Sequence, residues 1–186
     1  MRPAVEQQER AEFRSLFEDE RRFRAWYDAA LPTVFGYVFH RCGGVRQIAE
    51  ELTQEAFVEA VRSRDRFDGR SDPVTWVCAI AKHRLVDHFR RQHREERRRL
   101  RLLVGDGATD RAVAPSASEE RDLVLRTLRG LPALQRAALV LHYLDDLPVS
   151  EIAAALDRTE AAVESLLARG RQGFRRALSD AEGSES

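Results

Sequence analysis

The residues best equipped for chemistry lie in one stretch. On a helix at about 100° per residue, Trp76, Ile80, His83, Asp87, Arg90 and Arg94 share one side of the segment after Pro73. An aromatic ring and an aliphatic chain interleaved with guanidinium groups suit unpaired bases and a phosphate backbone. Bases stack on the ring, and phosphate oxygens accept from the arginines. The competing reading packs Trp76 and Ile80 on a second helix. The other side carries Val74, Val77, Cys78, Ala81, Leu85 and Phe89, a core face. His83, His88 and His93 recur every five residues, so each is turned about 140° from the last and they cannot converge on one ion. His40 and Cys42 lack a matching second pair for metal. His83 can still hydrogen-bond a base. There is no GxSxG, glycine-rich phosphate loop or CxxC, so neither an enzyme's convergent set nor a metal or cofactor site is expected.

A second candidate lies near the C-terminus. Pro148 breaks the chain, Ser150 is placed to cap a short helix over 151–156, and Asp157-Arg158-Thr159 makes a tight turn. Thr159 is placed to cap the next helix, Glu160 to Leu178. Ile152, Leu156, Val163, Leu166 or Leu167, Phe174 and Leu178 turn inward, and small Ala153 lets the helices cross. Two helices so joined form either a helix-turn-helix or an ordinary αα-hairpin. In the first case the second helix enters a DNA major groove. Ala161, Ala162, Glu164, Ser165 and Ala168 would then face base edges, with Arg169, Arg171, Arg175 and Arg176 along the shaft for phosphates.

These surfaces must be held by helices. Phe23 to Phe39 is apolar at helical spacing, is expected to be interrupted at Pro32, and stops at Cys42-Gly43-Gly44. Ile48, Leu52, Ala56 and Ala60 form the next stripe. Phe67–Asp72 is a loop, with Ser71 or Asp72 as cap and Pro73 opening a helix that runs to about Arg101. Residues 102–118 are rich in Gly, Ala, Ser and Pro and read as a flexible linker. Helical pattern resumes from Glu119, with breaks at Gly130–Pro132, Asp145–Pro148 and Asp157–Thr159. Asp145-Asp146 reads as solvated capping. No strand-length alternation and no repeat is present. The expected fold is all-α: a polar, frayed helical arm (1–20), a helical domain (21–101), the linker (102–118), a second helical domain (119–179) and a disordered tail (180–186).

Composition bounds the rest. The chain has 186 residues, 43% hydrophobic and 33% charged, enough for one medium core or two small ones without disulfides. No apolar run approaches the ~20 residues of a membrane span, and residues 1–14 lack a secretory pattern. Two cysteines make no disulfide framework, so a reduced, cytoplasmic protein is expected. The 31 Lys+Arg balance the 31 Asp+Glu, and Lys82 is the sole lysine. The zero balance hides local asymmetry: Lys82 to Arg101 holds nine basic and three acidic side chains, whereas Leu102 to Glu120 holds four acids and one arginine. The basic block suits an anionic partner.

Three segments carry a family resemblance. Glu50-Glu51-Leu52-Thr53-Gln54-Glu55-Ala56-Phe57 resembles the acidic stretch of bacterial sigma factors. Phe67-Asp68-Gly69-Arg70, Thr75-Trp76-Val77, Ile80-Ala81-Lys82-His83 and Asp87-His88-Phe89-Arg90-Arg91 resemble their promoter-melting region. Leu131-Pro132 with Arg136, Ser150-Glu151-Ile152-Ala153 and Val163 to Arg171 resemble the domain that reads the upstream promoter element. Order and spacing over roughly residues 20–180 are similar to the extracytoplasmic-function sigma factors. The resemblance implies a non-enzymatic subunit of RNA polymerase that chooses promoters. It implies that Glu51, Leu52, Gln54, Glu55 and Phe57 dock on the clamp helices of the largest core subunit. Phe67, Asp68, Arg70, Trp76, Ile80, Lys82, His83, Asp87, Arg90 and Arg91 would capture and melt the minus-ten element on the non-template single strand. Thr159, Ala162, Glu164, Ser165, Arg169 and Arg171 would read duplex DNA at the minus-thirty-five element. The second domain would sit on the flap of the second-largest subunit, and an anti-sigma factor is an implied partner. Two departures stand out. The family most often has Asn where His83 stands, and often Lys or Arg at Glu164, with Arg frequent at Leu166. A glutamate repels phosphate but can accept from cytosine N4. The alternative to a sigma factor is a helix-turn-helix regulator of duplex DNA, which leaves the acidic stretch and the Trp76 face unused.

Overall fold

The computed structural model describes residues 2–102 and 119–183. All regular structure among them is helical: α1 (Arg2–Leu16), α2 (Glu20–Arg41), α3 (Arg46–Arg62), a 3-10 turn (Arg64–Arg66), α4 (Pro73–Leu102), α5 (Glu119–Gly130), α6 (Ala133–Tyr143), α7 (Val149–Leu156) and α8 (Glu160–Gly183). Contacts group the chain into two units, one up to Phe39 with Arg46–Leu85 and one of His40–Val45 with the residues from Val86 on. The division falls within α4. The linker expected at 102–118 lies, save Leu102, outside the described residues.

The first unit is held by aromatic rings. Ala30, Val34 and Val38 bury one stripe of α2, and Ala49, Leu52, Ala56, Phe57 and Ala60 bury one stripe of α3. Trp26 and Tyr27 of α2 meet Phe57 of α3 at 5.9 and 4.7 Å between ring centroids. Such edge contacts add roughly 0.5–1.5 kcal/mol beyond area burial. Two expectations are corrected here. α2 runs unbroken through Pro32; the proline sits on the exposed side, and the buried stripe on both sides of it offsets the lost hydrogen bond. Residues 2–16 are helical, as expected, but packed rather than frayed: Phe13 of α1 is fully buried against Phe67, Trp26 and Trp76.

The second unit centres on α6, which buries Ala133, Leu134, Ala137, Ala138, Leu139, Val140 and Leu141. α8 packs on α5, α6 and α7. It approaches α6 at Gly170, where a Cβ would stand 3.1 Å from Leu139 Cγ and 3.3 Å from the Gln135 carbonyl. Arg136 is buried and bonded to neighbouring groups: Nη2 donates to Gln92 Oε1 at 2.6 Å, Nη1 to the Arg129 carbonyl at 3.2 Å, and the guanidinium lies 5.3 Å from the Phe89 ring centre. α7 starts at Val149 behind Pro148 with no side-chain cap. Ser150 is therefore inside the first turn rather than capping it. Asp145 is not solvated: its carboxylate is 6% exposed and meets Arg41 Nη2 at 2.8 Å. α8 continues through Gly183, so 180–183, expected in the tail, are helical.

Candidate nucleic-acid interface

The loop after the 3-10 turn is organised by carboxylates. Asp68 Oδ1 accepts from Arg70 N at 3.1 Å, and Asp72 Oδ1 accepts from Val74 N at 2.8 Å and Thr75 N at 3.2 Å. Asp72 is thus the cap of α4, in agreement with the sequence. Gly69 takes φ +73, which a residue with a Cβ rarely adopts. Asp68 and Arg70 are exposed and 3.5 Å apart, whereas Phe67 is fully buried. In this conformation Phe67 offers no face to a base; its ring supports Trp76 at 5.5 Å. Trp76, Ile80 and Lys82 are half-buried and His83 is exposed, while Val77, Ala81 and Leu85 face the core. Further along α4, Asp87 and Arg91 are exposed. Arg90 is held on one side by Asp87 at 3.8 Å and donates to the Ala154 carbonyl at 3.4 Å.

On α3 the acidic stretch splits by side. Glu51 and Gln54 are exposed and Glu55 is half-exposed, whereas Leu52 and Phe57 are buried core residues. Val58, not among the expected residues, stands 42% exposed on the same face. Its spacing of four from Gln54 was legible, but nothing in the pattern separated it from the core stripe.

The helix-turn-helix reading of α7 and α8 fits the geometry. Asp157 closes α7 in the left-handed region, φ 55 and ψ 56, and Thr159 Oγ1 accepts from Ala162 N at 3.2 Å. Ile152, Ala153, Leu156, Val163, Leu166 and Leu167 are buried. Thr159, Glu164, Ser165, Arg169 and Arg171 are exposed and Ala162 is half-exposed; Arg171 Nη1 donates to Tyr143 Oη at 3.3 Å. Leu166 lies inside, out of reach of phosphate. An apolar groove of about 360 Å³ opens between α5, α6 and α8, lined by Val124, Leu128, Leu139, Val140, Leu144 and Phe174, with Tyr143 and Arg171 at its edge. Val124, Tyr143 and Leu144 are 42%, 57% and 47% exposed.

Burial pushes the Cys42 thiol above its ordinary range. Burial also lowers His93 below the usual histidine value, against the pull of Glu96. Among the described residues no group of His, Cys, Asp and Glu is arranged to hold a metal, and no helix is long and apolar enough to cross a membrane.

Comparison with known proteins assigns both parts. The Sigma-70 region 2 family matches residues 26–95, and the Sigma-70 region 4 family matches 121–172. The class is that of sigma-70-type transcription factors. The chain is 31% identical over 166 residues to the ECF RNA polymerase sigma factor BldN of Streptomyces coelicolor, covering 85% of this chain and 61% of BldN. It is 33% identical over 134 residues to the ECF RNA polymerase sigma factor SigC of Mycobacterium tuberculosis, covering 72% of this chain and 70% of SigC. The fold is similar, at TM-score 0.50 and 20% identity, to the sigma factor RpoE crystallised with the anti-sigma factor NepR from Bartonella quintana, covering 84% of this chain and 96% of that one. The chain belongs to the ECF RNA polymerase sigma factors.

Proposed function

We propose that this protein binds core RNA polymerase, selects promoters and melts them so that the polymerase can initiate. The carrying observation is that region 2 and region 4 occur in order on one chain, with most of the expected residues at least partly exposed on their helices and Leu52, Phe57 and Phe67 buried beneath them. The α3 face of Glu51, Gln54 and Glu55, extended by Val58, docks on the clamp helices of the largest subunit. Leu52 and Phe57 support that face from beneath. Asp68, Arg70, Trp76, Ile80, Lys82, His83, Asp87, Arg90 and Arg91 take the non-template strand of the minus-ten element, with Phe67 as a prop under Trp76. Bases leave the stack into a protein surface at a cost lowest where the duplex is weakest, and this couples melting to sequence. Thr159, Ala162, Glu164, Ser165, Arg169 and Arg171 on α8 meet the minus-thirty-five duplex. The apolar groove of α5, α6 and α8 receives the flap of the second-largest subunit. The protein contributes binding and base capture, and the polymerase does the chemistry. It works in the cytoplasm, with an anti-sigma factor covering the polymerase-docking surfaces.

The test is run-off transcription with core polymerase from the source organism on a genomic promoter library. Protein-dependent transcripts sharing upstream sequences are expected. Their loss in Gln54→Ala and in Trp76→Ala ties docking and melting to those residues. Absence of transcripts together with no retention of core polymerase on the immobilised protein overturns the proposal and leaves a duplex-DNA regulator.

A further inference from the structure

α1 lies ahead of the matched region 2 span, yet it holds the base-reading loop at three places. At the first, Arg10 Nη2 and Arg14 Nη2 donate to the Asp65 carbonyl at 3.3 and 3.4 Å, and Arg14 pairs with the Asp65 carboxylate at 3.0 Å. At the second, the Phe13 ring sits 4.7 Å from Phe67 and 5.6 Å from Trp76, nearly perpendicular to the indole. At the third, the loop backbone at Gly69 lies against the backbone of α1: a Cβ at Gly69 would stand 2.1 Å from the Glu6 carbonyl oxygen. The contacts fall on residues 65, 67 and 69, alternate positions along the segment that leads to Asp68, Arg70 and Trp76. Packing of a first helix on a core needs only the second of these; the first grips the 3-10 turn that leads into the loop, and the third grips the loop backbone itself.

We propose that α1 is a positioning element for minus-ten recognition, with Arg10, Arg14 and the Glu6–Gly69 contact fixing the loop and Phe13 fixing the Trp76 ring before DNA arrives. This rests on the reading of the loop and Trp76 as the minus-ten surface. The physical ground is preorganisation. Ordering the backbone of a single loop residue at the moment of binding weakens affinity by roughly tenfold. A loose loop also blurs base discrimination, because it can adjust to the wrong base.

The test uses holoenzyme reconstituted from core polymerase and the full chain. Its probe is a fluorescent single-stranded oligonucleotide of the non-template minus-ten sequence found by run-off transcription, together with the same oligonucleotide changed at one base. Arg10→Ala/Arg14→Ala is the principal variant, because both side chains lie at the surface and the aromatic core stays in place. Gly69→Ala, which pushes on α1, is the second. Each is expected to weaken cognate binding by about tenfold and to narrow the gap between cognate and changed oligonucleotides, with core-polymerase affinity unchanged. A purely structural role would leave discrimination intact. Wild-type affinity and discrimination in Arg10→Ala/Arg14→Ala, alongside lost binding in Trp76→Ala, overturn the positioning role and leave the minus-ten surface standing. Wild-type binding in Trp76→Ala removes the minus-ten surface and the proposal with it.

Discussion

Replacing Asp72 by alanine probes how α4, the helix proposed to take the minus-ten strand, is started. A helix leaves its first N–H groups without intrahelical partners. In α4, Pro73 has no N–H, and Trp76 N already reaches the Asp72 carbonyl at 3.0 Å. One carboxylate oxygen, Asp72 Oδ1, accepts from the two donors in between, Val74 N at 2.8 Å and Thr75 N at 3.2 Å. Loss of such a cap costs about 1 kcal/mol. Loss of a negative charge at the positive end of the helix dipole costs roughly 0.3–1 kcal/mol more. Asp72→Ala should therefore destabilise by about 1.5 kcal/mol, and Asp72→Asn, which keeps the acceptor, by about 0.5 kcal/mol. Both tryptophans of the chain, Trp26 and Trp76, lie in the first unit, so their fluorescence in a urea titration follows that unit alone. With a slope of about 2 kcal/mol per molar, the alanine midpoint should fall by about 0.7 M and the asparagine midpoint by about 0.2 M. An unmoved midpoint in the alanine variant refutes the cap. Equal falls in both variants would assign the effect to charge alone.

Three further outcomes are expected. Asp145→Ala leaves Arg41, 14% exposed, without its carboxylate partner; breaking such a buried pair costs about 3–5 kcal/mol, to be read as a lower thermal midpoint in a circular-dichroism melt. Glu164→Arg should strengthen binding of a duplex minus-thirty-five probe and steepen its salt dependence by about one charge if Glu164 faces phosphate; weaker or redirected binding in a gel-shift titration means that the glutamate reads a base. The Cys42 thiol, buried and raised, should react with a disulfide reagent at pH 8 more slowly than a free thiol, and at the free-thiol rate once urea unfolds the chain.

The all-α fold was legible because helical periodicity is local. The stripe from Ile48 to Ala60 and the core face from Val77 to Phe89 are buried largely as spacing required, and the capping chemistry of Asp72 and Thr159 was likewise readable. What escaped the sequence are contacts between residues far apart in the chain. Phe13 meeting Phe67, and Arg41 meeting Asp145 across 104 residues, leave no periodic trace. This is why α1 read as an arm and Asp145 as solvated. Pro32 and Ser150 failed for a different reason: a breaker or a capping type states a preference worth about 1–3 kcal/mol, which flanking burial or a neighbouring proline overrides. Motif spacing proposed the minus-ten and docking segments, but it did not say which members turn inward, and Phe67, Leu52 and Phe57 are buried beneath those faces.

Lys82 stands half-buried on α4, in the chain's only break from arginine among its basic side chains. Guanidinium groups hold their charge at any physiological pH, whereas an amine can be acylated and neutralised. Side-chain charge on this protein is thus open to acetylation at one place, on the face proposed to take the melted strand. The same solitude makes Lys82 a handle: apart from the terminal amine, an amine-reactive dye would label a single site, six residues along the helix from Trp76. Strand capture would then be readable as quenching or release of one fluorophore.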